Sequence, residues 1–170
     1  MFGWLCHPAE DGLPERLGAQ TASVRAVLGP IIVGTDGSDT ATTAVREAIE
    51  MAKAFDVPLH VVSVYRPQTV ATSGVPAEFA DAVRPDSQVQ AVLGDALARA
   101  RQSGVKAESH AVTAGDAAEA LLDLADDLGA GLIVVGNKGI GSVRRFLGNV
   151  PSKVVHHAPC STFVVHTTGE

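Results

Sequence analysis

Aromatic side chains are scarce in this chain of 170 residues, 4% of the total against 46% apolar residues overall. The core must therefore be built from Val, Leu, Ile and Ala, the composition of buried strands covered by helices. Cysteine is scarce too. Cys6 and Cys160 stand far apart, with no CxxC and no Cys/His ligand spacing, and so point to neither a disulfide framework nor a zinc site. Positive charge is in deficit: 13 Lys and Arg against 19 Asp and Glu give a formal net charge of −6 and a pI near 5.4. That balance argues against general attraction to nucleic acid or anionic lipid, so any phosphate binding has to be local. Long apolar runs are absent as well. None approaches the roughly 18–20 residues that cross a bilayer, and the opening MFGWLC has neither the basic start nor the apolar length of a secretory signal. The expectation is a cytoplasmic protein with no membrane and no nucleic-acid partner.

What is present is a regular alternation of strand and helix patterns, preceded by an irregular stretch. Residues 1–29 mix Trp4, Pro8, Pro14 and Gly3, Gly12 and Gly18 with scattered charges and no sustained period. They read as an extension outside the core, with one helical turn expected within Ala22–Leu28. From residue 30 to residue 170 the chain reads as one domain. Ile31–Val33 is an apolar strand, Thr35–Ser38 a turn, and Ser38 or Asp39 caps a helix to about Phe55 with Ala41, Ala44, Val45, Ala48, Ile49 and Ala52 on one face. Leu59–Val64 is a second strand, followed by a long Pro/Ser/Thr/Gly-rich loop from Tyr65 to Pro85.

A helix from about Asp86 to Gln102 then presents Val89, Val92, Leu93, Ala96 and Leu97 on one side and stops at Gly104. Lys106–Val112 alternates and reads as an edge strand. Asp116–Asp127 is a helix with Ala120, Leu121, Leu124 and Leu128 inward, Leu132–Val135 the most buried strand, Pro151–His157 a short helix and Ser161–His166 the last strand. Such alternation predicts an α/β fold: a single doubly wound, five-stranded parallel sheet with helices on both faces and ligand sites at the carboxyl ends of the strands.

Directly after Leu132–Val135 comes GNKGIGSVRRFLGNVPSK, residues 136–153. Gly136, Gly139, Gly141 and Gly148 let backbone N–H groups converge without Cβ atoms in the way, and a following helix start adds its own unpaired donors. With Lys138, Arg144 and Arg145 these make a candidate phosphate cradle in an otherwise acidic chain. It is neither a GxxxxGK[ST] loop nor a GxGxxG fingerprint, and glycine spacing alone is matched as well by a plain connection with solvated basic residues.

Ile31–Ser38 (IIVGTDGS), Val134–Gly139 (VVGNKG), Gly148-Asn-Val-Pro and Val154–Val165 (VVHHAPCSTFVV), taken in this order, resemble the universal stress protein family over residues 30–166. The resemblance implies the adenine nucleotide alpha hydrolase-like form of the fold. In the nucleotide-binding branch of that family a strand-one aspartate and a strand-two backbone position hold adenosine, and a Gly-x2-Gly-x9-Gly-[Ser/Thr] pattern holds phosphate. Asp36 matches the aspartate, Val64 the strand-two position, Gly136 and Gly139 the first glycine pair and Gly148 the third glycine. The implied nucleotide-binding set is thus Thr35, Asp36, Val64, Gly136, Asn137, Lys138, Gly139, Gly148, Asn149 and Val150. Only residues 140–147 separate Gly139 from Gly148, and Asn149 stands where serine or threonine is usual.

The resemblance implies a stress-response regulatory protein that binds an adenine nucleotide: ATP with Mg first, AMP or a cyclic nucleotide behind it. It also implies a homodimer through the last strand, an apolar segment that as the end of the sheet needs covering. The alternative is a dimeric interaction module of the same fold that binds no nucleotide. No catalytic residue and no protein-held metal is assigned, so enzymatic activity is expected to be at most slow ATP hydrolysis. Asp36 and Ser38 also suit turn and cap chemistry. Adjacent His156 and His157 point about 100° apart on a helix, poor geometry for one metal. His60, His110 and His166 lie on strands, where a satisfied or exposed histidine is the ordinary case. Cys160 reads as a small apolar residue rather than a redox sensor.

Overall fold

The computed structural model describes residues 29–65, 85–137 and 149–166. Among them, five parallel strands form one sheet: β1 (Ile31–Gly34), β2 (Leu59–Tyr65), β3 (Ala107–Thr113), β4 (Leu132–Gly136) and β5 (Ser161–Val165), in the order β3-β2-β1-β4-β5. Four helices connect them: α1 (Asp39–Phe55), α2 (Pro85–Gln102), α3 (Ala117–Asp127) and α4 (Asn149–His157). This is the doubly wound α/β architecture that the alternation predicts. The expected helical turn in Ala22–Leu28 and most of the loop from Tyr65 to Pro85 lie outside the described residues.

The side-chain pattern assigns each helix to a face. Ile31 and Val33 of β1, Leu59 and Val61 of β2 and Leu132 and Val134 of β4 pack beneath α1 and α2, through Ala44, Val45, Ala48, Leu93 and Ala96 among others. The intervening residues Ile32, Val62, Ile133 and Val135 face α3 and α4 and meet Ala118, Leu121, Ala125 and Val154. β1 and β4 are thus apolar on both sides, and β2 is so except for buried His60 and Ser63, whereas β3 and β5 alternate because each lies at an edge. Burying each such Val, Leu or Ile contributes about 1.5–3 kcal/mol. On α3 the buried positions are Ala118, Ala120, Leu121 and Ala125, while Leu124 and Leu128, expected inward, are only partly buried. Small residues let the helix backbone approach the sheet, and the larger leucines flank it.

Local chemistry sets the helix ends. Ser38 is the N-cap of α1, its Oγ accepting from Ala41 N–H at 3.2 Å, and Asp116 caps α3 by accepting from Ala118 N–H at 2.8 Å. Asp56 closes α1 in the left-handed region (φ 53°), and Gly104 does so after α2 (φ 76°). The last helix begins at Asn149 rather than Pro151. Pro151 lies in its first turn, where N–H groups have no intrahelical partner, so the missing donor costs nothing.

Candidate functional site

Strand order reverses at β1: the chain proceeds outward through β2 to β3, then crosses back to place β4 and β5 on the other side. The loops leaving β1 and β4 therefore diverge to opposite faces and leave a crevice between them, the usual position for a ligand in an open α/β sheet. Residues 35–38 leave β1 at that point, and Gly136 ends β4 beside them with Asn137 following, since Val33 pairs with Val134. Val64 lies on β2 two residues beyond Val62, the partner of Gly34. The carboxyl ends of three adjacent strands thus bring Thr35, Asp36, Val64, Gly136 and Asn137 to one end of the sheet.

The turn after β1 is tightly organised. Thr35, 8% exposed, extends the ladder by donating its N–H to Val62 O at 2.8 Å. Asp36 Oδ1 accepts from both Ser38 N–H (3.0 Å) and Ser38 Oγ–H (2.6 Å), an Asx turn that leads into the cap of α1. Gly37 has φ 79°, and a Cβ built on it would lie 2.6 Å from Val92 Cγ2 of α2. Both conformation and space require glycine there. The carboxylate of Asp36 is exposed at the mouth of this turn. A cleft beside it, lined by Thr35, Gly37, Thr42, Val45, Val92, Asp95, Ala96 and Arg99, opens between α1 and α2.

On the β4 side, Asn137 N–H donates to Val165 O at 2.9 Å, fixing the second residue of the glycine stretch to β5. Asn149, exposed, and Val150, partly buried, open α4, whose amino end stands at the same end of the sheet because the helix returns towards the start of β5. Lys138, Gly139 and Gly148 lie outside the described residues, as do Gly141, Arg144 and Arg145. The arrangement offers a carboxylate for hydroxyl groups on one side and helix-start N–H donors for an anion on the other.

Some chemistry-bearing contacts were not visible in the sequence. Lys153 donates to Asp116 Oδ2 and ties α4 to the cap of α3. This pairing, with the Ala118 N–H, holds the Asp116 carboxyl below its ordinary range, and the same pairing raises the Lys153 ammonium. His60 and His110 also meet: His60 Nδ1 lies 2.9 Å from His110 Nε2, with ring centroids 5.2 Å apart. Glu108 Oε2 stands 4.0 Å from the same His60 nitrogen. The signal was half legible, since Glu108-x-His110 puts both side chains on one face of a strand, but nothing local joins them to His60. By contrast His156 and His157 are exposed with rings 6.4 Å apart, and His156 Nδ1 turns to Ser152 O at 2.7 Å. Cys160 is partly buried, and that burial pushes its thiol up, away from thiolate character.

Comparison with known proteins agrees with this geometry. Residues 28–166 match the model of the universal stress protein family. The chain is 36% identical over 146 residues to universal stress protein Rv1636 of Mycobacterium tuberculosis, covering 81% of this chain and 96% of that one. Among solved structures it resembles a universal stress protein in complex with cAMP (31% identity, TM-score 0.65, 84% of this chain and 99% of that one). It also resembles the universal stress protein of Archaeoglobus fulgidus in complex with dAMP (25% identity, TM-score 0.61, 82% and 99%).

Proposed function

Because the chain belongs to the universal stress protein family, we propose that it is a stress-response regulatory protein that binds an adenine nucleotide at the carboxyl ends of β1, β2 and β4. The observation that carries this reading is the Asx turn Thr35–Ser38 at the point where strand order reverses, with Gly136 and Asn137 beside it. Asp36 and the backbone at Val64 would hold the adenosine. Gly136, Asn137, Lys138, Gly139, Gly148, Asn149 and Val150 would hold phosphate. Relatives seen with cAMP and dAMP favour a single phosphate, and so do the short 140–147 spacing and Asn149.

ATP is the second reading, favoured by the glycine pattern and by the cations Lys138, Arg144 and Arg145 in an acidic chain. Magnesium would then be held mainly by the triphosphate's own oxygens and by water. Asp36 already engages one carboxylate oxygen with two donors of Ser38, which fits a contact to adenosine better than an ion ligand. β5, an edge of the described sheet with Phe163 39% exposed, would pair with a second copy in a cytoplasmic homodimer.

Calorimetric titration of the full chain with cAMP, AMP and ATP, the last with and without magnesium, tests the reading beside Asp36→Ala and Gly139→Val. Binding of a monophosphate that both variants lose is the expected result. Tighter binding of ATP in magnesium favours the triphosphate. A folded dimer that gives no heat with any of them returns the protein to a nucleotide-free interaction module.

A further inference from the structure

We propose that His60, Glu108 and His110 form a three-ligand site for a divalent transition-metal ion, zinc in the first instance, clamped between β2 and the edge strand β3. The site lies towards the amino ends of the strands and is separate from the crevice at their carboxyl ends. Parallel pairing makes it: His60 is the register partner of Glu108, and Val62 of His110. His60, Glu108 and His110 therefore share the sheet face that carries Val62, Val64 and Val112.

One donor atom from each of the three residues lies within 4.8 Å of the other two. Around a tetrahedral zinc with bonds of about 2.0–2.2 Å, ligand atoms stand about 3.3–3.6 Å apart. The two imidazole nitrogens, now at 2.9 Å, would separate slightly, and the carboxylate, now at 4.0 Å from His60 Nδ1, would close in. The movable partners are the ones free to do so, because the Glu108 side chain is 76% exposed and His110 is only partly buried. His60, 7% exposed, is the fixed anchor.

The chemistry of the donor set points the same way. Without an ion, the facing nitrogens hold together only if one carries the proton and the other a lone pair. A metal ion uses both lone pairs and recruits the carboxylate as well. Histidine ligates through the lone pair of its neutral ring, and both facing nitrogens are placed to offer one. Two imidazoles and one carboxylate suit zinc, with nickel and copper as competitors, and discriminate against magnesium. Three protein ligands leave a fourth position for water on the exposed side. The bound ion would cross-link the edge strand to the interior of the sheet.

The test uses the full chain, freed of metal by chelation and dialysis. Zinc chloride is titrated by calorimetry, and thermal unfolding is followed with and without zinc. Wild type is compared with His110→Ala, Glu108→Gln and a His156→Ala/His157→Ala control. One zinc per chain and a rise of several degrees in Tm are expected, lost in His110→Ala, reduced in Glu108→Gln and kept in the control. Nitrogen-15 resonances of wild-type His60 Nδ1 and His110 Nε2 should shift on zinc addition, which decides the matter even if a variant folds poorly. No zinc-dependent shift in folded wild type, or one that survives His110→Ala or disappears in the control, overturns the proposal and leaves a histidine pair joined by a hydrogen bond.

Discussion

The two ends of the sheet carry different kinds of chemistry. At the carboxyl ends, the turn after β1 is made within four consecutive residues, Thr35 to Ser38, largely from backbone N–H groups and short side chains bonded to near neighbours. Towards the amino ends, His60 meets Glu108 and His110 across about fifty residues of chain, entirely through side chains. A turn is specified by its own residues; a cross-strand cluster exists only once register is set. The difference predicts that the first end fails through backbone geometry and the second through single donor atoms.

The largest effect should come from Gly37→Ala. Forcing a Cβ into positive φ and against Val92 costs about 2–4 kcal/mol, read as a lower urea midpoint, and abolishes nucleotide binding. Adding Val92→Ala should restore the share due to the clash and leave the backbone strain. A Gly37→Ala variant as stable as wild type would break the claim that this turn depends on glycine.

Next in size is Asp36→Ala, which removes the acceptor for two Ser38 donors. Stability should fall by about 1 kcal/mol, while nucleotide affinity drops at least roughly tenfold if the carboxylate contacts adenosine. Equal losses in Asp36→Ala and Ser38→Ala would reduce Asp36 to turn chemistry alone.

A smaller effect separates α3 and α4. Asp116→Asn keeps an N-cap acceptor but removes the charge that Lys153 meets. The folded pKa of Asp116 lies below its unfolded 3.8, so the pair's contribution is present above that value and lost as pH falls through the folded one. The stability difference between wild type and variant should therefore close in acid below about pH 4, and salt should shrink it at neutral pH. A difference that persists in strong acid would assign the effect to the cap instead. Smallest of all, Cys160 should alkylate roughly tenfold more slowly than free cysteine at pH 7.4, measured by peptide mass spectrometry so that Cys6 is read separately. A fast reaction would overturn its reading as a partly buried packing residue.

Much of the fold was legible. The apolar spacing in Ala41–Ala52 predicts the buried face of α1, and alternation in Lys106–Val112 predicts an edge strand, because both follow from the period of one local element. The sequence predicts that α4 starts at Pro151, which resembles a first helical residue, but the helix starts two residues earlier because the first turn tolerates proline at more than one position. Periodicity predicts Leu124 and Leu128 inward, yet they lie only partly buried, because periodicity reports direction and not how closely a helix approaches its sheet.

By itself the sequence determined the strands, the helices, their buried faces and the turn that leaves β1, since each depends on residues within a few positions of one another. Tertiary structure alone decided that Gly37 abuts Val92, that Lys153 finds Asp116, and that two ordinary strand histidines face one another beside a carboxylate. Those contacts depend on which strands are neighbours and in what register. Register is set by the packing of the whole sheet, which no short stretch of the chain contains.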